Sequence, residues 1–486
     1  MNKLVKVLYG TALVGLLASV AACGGKKEET DNSKVSFEVW TTFGDKIEKT
    51  LNDKIEAFAK LVKEHDGVDV TITQVYKGAY KDIPSKITPA MGDGTLPAMV
   101  VAYPDHVAKY LYDEGTDHGK YVVNLDDYIN DPEIGFGKEA WLGDTEGADD
   151  IIQTFLNEGR SFTREGTYVL PFMKSSEIMM YNLDAATKAM KFYDTTVEAG
   201  KVEEKIASMS WNELLDFAQV AYDHKAEVLS SVEDVIFYDS DSNMMITQMY
   251  QEDYKYTSIG SDGKGVVEFA EGEDYNHVIS LLNSYKAAHD NHLLTTKGTE
   301  GTYASDSFKN GKCLFTIGSS GGAGYTIPSK GNFNAAVTHV PARNNKPYYV
   351  SQGPSWALLN NPSLSKEQNK LITTYAWKFA KYLLTTEVNT DCCVLGSEGY
   401  VPVRESSYTT ETYAEFIENG EMYAETAKVL QNDIKGKYIV TATFPGSDTV
   451  REQIGGTVGS FLSDTKGRTA QYFLDAAIEI MKTMIK

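Results

Sequence analysis

From Val35 to Ala102 the chain switches repeatedly between two hydrophobic periods. Val35-Ser-Phe-Glu-Val-Trp40 places apolar side chains on alternate residues, the pattern of a half-buried strand. Ile47, Leu51, Ile55, Phe58 and Leu61 then recur at helical spacing across 46–64. Val68 to Tyr76 returns to strand alternation, Tyr80 to Met91 reads as a second helix, and Ala98-Met-Val-Val-Ala102 is a short apolar strand. A βαβαβ opening predicts a parallel sheet flanked by helices, an α/β fold.

The pattern loosens after that. Two short strand-like pieces lie around Pro171 within Thr167 to Asn182, and helical spacing recurs at Trp211 to Lys225 and Tyr275 to His289. Strands reappear at Cys313 to Ile317, Asn334 to Val340 and Trp356 to Leu359, followed by helical patterns over Lys366 to Cys393 and Thr469 to Lys486. A chain of 486 residues exceeds what one core usually serves, so two lobes are expected. Strands returning so late predict re-entry into the first lobe. The expected division is residues 35–140 for the first lobe, 141–311 for the second, 312–360 for the return and 361–486 for second-lobe helices. No internal repeat is apparent.

The N-terminus has a different character. Lys3 and Lys6 precede an uncharged run from Val7 to Ala22, shorter than a membrane-spanning helix and laid out as a secretory signal over residues 1–22. Val20-Ala21-Ala22-Cys23-Gly24-Gly25 resembles the bacterial lipobox, whose cysteine is acylated. That resemblance implies a lipid anchor on Cys23, an extracytoplasmic location at the cell membrane, and a flexible polar tether over residues 23–34.

Charge and cysteine content act mainly by exclusion. The formal net charge is -22, and losing Lys3 and Lys6 with the signal would make it more negative still. Nucleic acid is therefore not an expected partner, because phosphate backbones require clustered Lys and Arg. Beyond Cys23 there are Cys313 and the adjacent Cys392 and Cys393, without C-x-x-C spacing, so no structural zinc is expected. Cys313 lies in an apolar run and reads as a small buried hydrophobe. The eight histidines form no H-E-x-x-H, no phosphate-binding loop occurs, and Gly260-Ser-Asp-Gly263 lacks dinucleotide-binding spacing. No metal or cofactor is expected.

Capture of a polar solute needs an aromatic face and convergent hydrogen-bond groups. Candidates at strand ends are Trp40 with Thr41 and Thr42, Tyr76 and Tyr80, Tyr103 with Asp105, Ser175 and Ser176, Ser319 and Ser320, Gly353 to Trp356, Tyr400 and Arg451. Each aromatic reads equally as core packing, and each Ser or Thr as a turn or cap. Arg451 could instead pair with Asp448 or Glu452. Gly318 to Gly322 also satisfies G-x-S-x-G, the nucleophile elbow of a serine hydrolase. The only later histidine is His339, nineteen residues beyond Ser320, which leaves no room for the intervening strands of that fold. A glycoside hydrolase built on two carboxylates, or an adhesin, would also suit an acidic surface protein.

Taken in order, several segments resemble the family 1 extracellular solute-binding proteins of ABC importers. They are Val35 to Gly44, Val75-Tyr-Lys-Gly-Ala-Tyr80, Gly92-Asp-Gly-Thr-Leu-Pro-Ala-Met-Val-Val-Ala-Tyr-Pro-Asp105, Leu170 to Asn182, Phe308 to Ser320, and Gly399-Tyr-Val-Pro-Val-Arg404. The resemblance implies a two-lobed, periplasmic-binding-protein-like (type II) fold with a ligand cleft between lobes joined by crossover strands. It also implies a monomer that catalyses no reaction and delivers its solute, a carbohydrate, to the transmembrane subunits of a permease. Several stretches look similar to the glycerol-3-phosphate-binding branch, which would assign ligand contacts to Tyr80, Ser176, Ser320, Gly353, Tyr400 and Arg451. Departures at Pro104-Asp105 and Val235 to Ser242 leave a neutral sugar as the leading expectation and glycerol-3-phosphate or a glycerophosphodiester as the alternative. The candidate ligand set is Trp40, Tyr80, Asp105, Ser176, Ser320, Gly353, Trp356, Tyr400 and Arg451.

Overall fold

The computed structural model describes residues 32–113, 116–397 and 399–485, so Cys23 and the signal lie outside the described residues. Lys34–Thr41 buries alternate side chains, as its sequence pattern requires, and pairs in parallel with Asp69–Tyr76 and Met99–Ala102. The intervening helix Asp45–His65 presents Leu51, Ile55, Phe58 and Val62 to the sheet, the i, i+4, i+7, i+11 stripe of an amphipathic helix. Met99–Ala102 is buried throughout, because it is flanked on both edges and covered on both faces. Ser355–Leu358 and Leu170–Pro171 complete this first sheet, in the order Asp69–Tyr76, Lys34–Thr41, Met99–Ala102, Ser355–Leu358, Leu170–Pro171. Ser355–Leu358 runs antiparallel to both of its neighbours.

A second five-stranded sheet forms the other lobe, in the order Leu294–Thr296, Ile236–Tyr238, Phe315–Ser319, Glu177–Asn182, Ala335–His339. Its Glu177–Asn182 strand is antiparallel to both neighbours, and Ile236–Tyr238 is parallel to both of its own. Ser210 caps the helix Trp211–Asp223 with a reciprocal Glu213 bond, and Asn182 caps Leu183–Tyr193, so two of this lobe's helices begin where sequence-local chemistry starts them.

The expected division into lobes needs three corrections, the first being that Leu170–Pro171, expected in the second lobe, pairs with Ser355–Leu358 in the first sheet. Phe315–Ser319 and Ala335–His339, expected in the return to the first lobe, pair in the second sheet; only Ser355–Leu358 re-enters the first. The helix Lys366–Tyr382, expected in the second lobe, packs on Lys34–Thr41 and on Asp45–His65. Buried ion pairs fix it there. Lys378 reaches Asp66 at 2.8 Å and Glu139 at 2.9 Å, and the fully buried Lys381 reaches Glu139 at 2.8 Å and Asp144 at 2.9 Å. Removing one partner from such a set strands a buried charge, which costs roughly 3–5 kcal/mol. The helix Ser447–Leu462 does pack in the second lobe, against Asp241–Gln251 and Ala470–Met484.

Between the sheets, crossing segments lie side by side. Lys174 and Val401 exchange backbone bonds of 3.0 and 2.7 Å, and Ser175 and Gln352 exchange two of 3.0 Å. Tyr349–Val350 pairs with Tyr438–Ile439. Gly353 has φ +101°, and a Cβ there would sit 2.3 Å from the carbonyl oxygen of Met173, so only glycine fits this crossing.

Candidate functional site

Two adjoining chambers, of about 480 and about 710 Å³, lie between the sheets and share Tyr80, Ser240, Lys297 and Gln352. They form one trough at the ends of the strands, where open α/β sheets bind ligands.

The first chamber takes Tyr103 from the end of Met99–Ala102, and Asp105 and His106 from the start of the helix Pro104–Leu111. It takes Ser242 and Asn243 from the start of helix Asp241–Gln251, Tyr256 from the loop beyond, and Asp448 and Arg451 from helix Ser447–Leu462. Arg451 spans the lobes: its Nη1 donates to Asn243 Oδ1 at 2.6 Å, and its Nε lies 3.8 Å from Asp105 Oδ2. Asn243 Nδ2 in turn donates to Glu177 Oε1 at 3.2 Å, and the Tyr238 hydroxyl donates to Glu177 Oε2 at 2.6 Å. Glu177 is buried on the second chamber's wall, and desolvation outweighs those hydrogen bonds, pushing its carboxyl up to about 7.

The second chamber is lined by Asp239, Tyr303, Ser319, Gly321, Tyr325 and Tyr400 as well as Glu177. Burial raises the Asp239 carboxyl to about 6, against the Ala304 N–H that its Oδ1 accepts at 2.7 Å. Tyr303 and Tyr325 are 60% and 71% exposed, a large excess over the protein's other tyrosines near this cleft. Lys297 Nζ lies 3.6 Å from the centre of the Tyr303 ring, a cation–π contact that orients the phenol. The Tyr400 ring rests on Gly321, where a Cβ would meet it at 2.7 Å, and its hydroxyl hydrogen-bonds that of Tyr80, which also bonds Thr42. Burial pushes the Tyr400 phenol up to about 12 and that of Tyr80 well above its usual value, so both remain neutral hydrogen-bonding groups.

Of the sequence candidates, the structure brings Tyr80, Asp105, Tyr400 and Arg451 together in the trough, with Tyr103 and Ser319 beside them. Gly353 stands behind Tyr103, its N–H bonded to the Tyr103 hydroxyl. Thr41, Thr42, Tyr76, Ser175, Pro354 and Ser355 line neither chamber, nor do four members of the candidate ligand set, Trp356, Trp40, Ser176 and Ser320. Trp356 is fully buried in the first lobe, edge-on to Phe43 at 6.0 Å and tilted on Phe172 at 5.1 Å. Trp40 is 5% exposed, donates to Glu38 at 2.8 Å, and lies beneath Lys77 beside a separate surface depression. Ser176 is buried and donates to the Val350 carbonyl at 2.9 Å; Ser320 is buried, and its N–H donates to the Ser176 carbonyl at 2.9 Å. A buried Ser320 is no exposed nucleophile, and His339 lies beyond the intervening Glu177–Asn182 strand with its Nδ1 3.0 Å from the Val340 carbonyl.

Sequence reading missed Glu177, Asn243, Tyr256, Lys297, Tyr303, Tyr325 and Gln352 as site residues. Asp239 and Ser240, at the carboxyl end of Ile236–Tyr238, were findable from the strand-end rule. Among the described residues no group of three or more His, Cys, Asp and Glu side chains is disposed to hold a metal ion, and no helix is long and apolar enough to cross a membrane.

Comparison with known proteins places residues 55–423 in a match to the family described as bacterial extracellular solute-binding protein. No curated protein sequence matches the chain significantly. Solved structures share the architecture over nearly their whole length. The cyclic α-maltosyl-1,6-maltose binding protein from Arthrobacter globiformis aligns with TM-score 0.64 at 15% identity, covering 93% of this chain and 99% of that one. The GacH receptor of Streptomyces glaucescens, solved unliganded and with acarbose, gives TM-score 0.64 at 17% identity over 93% and 98%. UgpB from Mycobacterium tuberculosis, in complex with glycerophosphocholine, gives 0.63 at 13% identity over 92% and 98%. At such identities the likeness is one of fold.

Proposed function

The chain belongs to the bacterial extracellular solute-binding protein family, and from that premise we propose that it captures a neutral carbohydrate between its lobes and delivers it to the transmembrane subunits of an ABC importer. It catalyses no reaction, acts as a monomer, and is held at the cell membrane by a lipid on Cys23.

The observation that carries the sugar reading is the second chamber, where two open tyrosine faces, Tyr303 and Tyr325, share a wall with the carboxyls of Glu177 and Asp239. Sugar rings offer C–H faces to phenols and hydroxyl hydrogens to carboxylates, and this pairing satisfies both. The binding of maltosyl and acarbose ligands by structural neighbours supports it. A phosphate ligand finds less support, although a neighbour holds glycerophosphocholine. Arg451, the cation expected to clamp a phosphate, is already engaged by Asn243 and faces Asp105.

Thermal shift of the purified full chain against neutral sugars and glycerol phosphates tests this reading. A ligand at 100 times its dissociation constant adds about 2.7 kcal/mol of stability, which raises the melting temperature by several degrees. Stabilisation by a glycerol phosphate and by no sugar would overturn it. So would saturable hydrolysis of a glycoside or ester.

A further inference from the structure

Backbone crossings are not all that joins the two lobes. Beside the first chamber the helix Pro104–Leu111 of the first lobe packs against Ser447–Leu462 of the second, and Asp105 and Arg451 face each other across that seam. Arg451 has acids nearer in sequence, Asp448 one turn before it and Glu452 next to it. Yet among the described residues its ion-pairing partner is Asp105, from the other lobe. Asp448 instead accepts the N–H of Thr449 at 2.8 Å, in the first turn of its own helix.

Each half of the pair is held from behind. Asp105 accepts the His106 N–H on Oδ1 at 3.0 Å, at the start of its helix, which leaves Oδ2 toward Arg451. In the second lobe Asn243 is clasped at both ends: its Nδ2 donates to Glu177, and its Oδ1 accepts from Arg451 Nη1 at 2.6 Å. Glu177 is fixed in turn by the Tyr238 hydroxyl. A guanidinium anchored on one edge loses less rotamer freedom when it pairs through another. The side chains of Arg451 and Asp105 are only 28% and 21% exposed, so salt screens their attraction less than on an open surface.

A group that grips solute offers a free hydrogen-bonding edge. Arg451 spends one edge within its own lobe and presents the next to the opposite lobe. Opening the lobes would draw Asp105 away from Arg451, so the pair favours the closed arrangement with or without solute.

We propose that Asp105 and Arg451 form a latch between the lobes, aimed by Asn243 as a positioning residue, which holds a fraction of the solute-free protein closed. This builds on the reading that a solute is captured between the lobes, but the latch acts before any solute arrives and its test uses none. A part-exposed ion pair shifts the closed-to-open ratio by up to about fivefold. A solute that needs the closed form gains up to the same factor in affinity, whatever its chemistry.

Single-molecule energy transfer reads the closed fraction of the full chain, with dyes on azide-bearing residues replacing exposed Lys60 in the first lobe and Asn212 in the second. Asp105→Asn and Arg451→Gln should each lower the closed-to-open ratio about threefold to fivefold, and the double variant no further than either alone. Asp105→Arg combined with Arg451→Asp should return it to within about twofold of wild type. Asn243→Ala should lower the ratio on its own and do nothing further in Asp105→Asn, which a general loosening of the second lobe would not reproduce. Salt at about 1 M should lower the wild-type ratio and leave that of Asp105→Asn unchanged, a comparison that still reads the latch should other variants fail to fold. An unchanged ratio in Asp105→Asn, no recovery in the reversed pair, or a wild type with no closed population at low salt overturns the latch. Asn243→Ala acting equally in both backgrounds overturns its positioning role. Each of these results leaves solute capture standing, which the thermal-shift screen judges separately.

Discussion

Replacing Glu177 by glutamine should invert the order of stability of the two proteins between acid and alkaline pH. The folded protein keeps the Glu177 proton up to about pH 7, whereas an ordinary glutamate releases it near 4.5. Between these values the folded state binds more protons than the unfolded one, so stability falls as pH rises through that window. At about 1.4 kcal/mol per pH unit, the ionisation costs roughly 3 kcal/mol once complete. Glutamine has no such cost. Its single side-chain oxygen, however, cannot take the place of both carboxylate oxygens, which accept from Tyr238 and Asn243. One bond is lost, at about 1 kcal/mol. Glu177→Gln should therefore be less stable than wild type by about 1 kcal/mol at pH 3.5, below the titration of an ordinary glutamate, about equal to it near pH 5, and more stable by about 2 kcal/mol at pH 8.5. Urea unfolding followed by fluorescence of the buried Trp356 and Trp377 measures both across that range. Asp239 also titrates above its usual range, and its charge contributes to the rise at Glu177, so the comparison is repeated in an Asp239→Asn background. Stability curves that run parallel, with no crossing, would mean that Glu177 is ionised throughout, and the burial argument would fail.

Other expectations follow from the geometry. Trp356→Ala should cost about 3–5 kcal/mol in urea unfolding, whereas Trp356→Phe should keep solute affinity; an affinity loss without destabilisation would return Trp356 to the site. Gly353→Ala must bring a Cβ against the Met173 carbonyl at a positive φ, so its melting temperature should drop by the equivalent of about 2 kcal/mol or more, and an unchanged value would contradict the crossing geometry. Cys23→Ser should abolish lipid labelling and either release the protein from membranes or leave its signal uncleaved; unchanged labelling would refute the anchor.

The opening of the fold was legible because its periods are clean. Alternation in Lys34–Thr41 and the Leu51, Ile55, Phe58 stripe report burial directly, and burial follows from sheet and helix geometry alone. Partner choice is not encoded that way. Phe315–Ser319 is apolar whichever sheet receives it, so its lobe could not be read from its own residues. The same ambiguity divided the aromatic candidates. Trp40 and Trp356 occupy strand positions that point into packing, whereas Tyr80 and Tyr400 sit beyond regular strands and face the trough. Tyr303 and Tyr325 of the second chamber and Tyr256 of the first lie outside any periodic pattern, and only the tertiary arrangement brings them to the trough. Lys378 and Lys381 are held by Glu139 and Asp144 from a distant loop, a pairing that no local pattern records.

The place of Ser355–Leu358 in the first sheet bears on how the chain is made. This strand stands between Met99–Ala102 and Leu170–Pro171, so the sheet stays open until a segment more than 180 residues downstream of Pro171 arrives. Closing so long a loop is entropically slow relative to local contacts. A ribosome that has released the first three strands has thus released no finished lobe, only a ribbon with an unpaired edge. For an extracellular protein this delay has a use: a polypeptide that cannot lock its sheet early remains threadable through a translocation channel, and folds where it is needed.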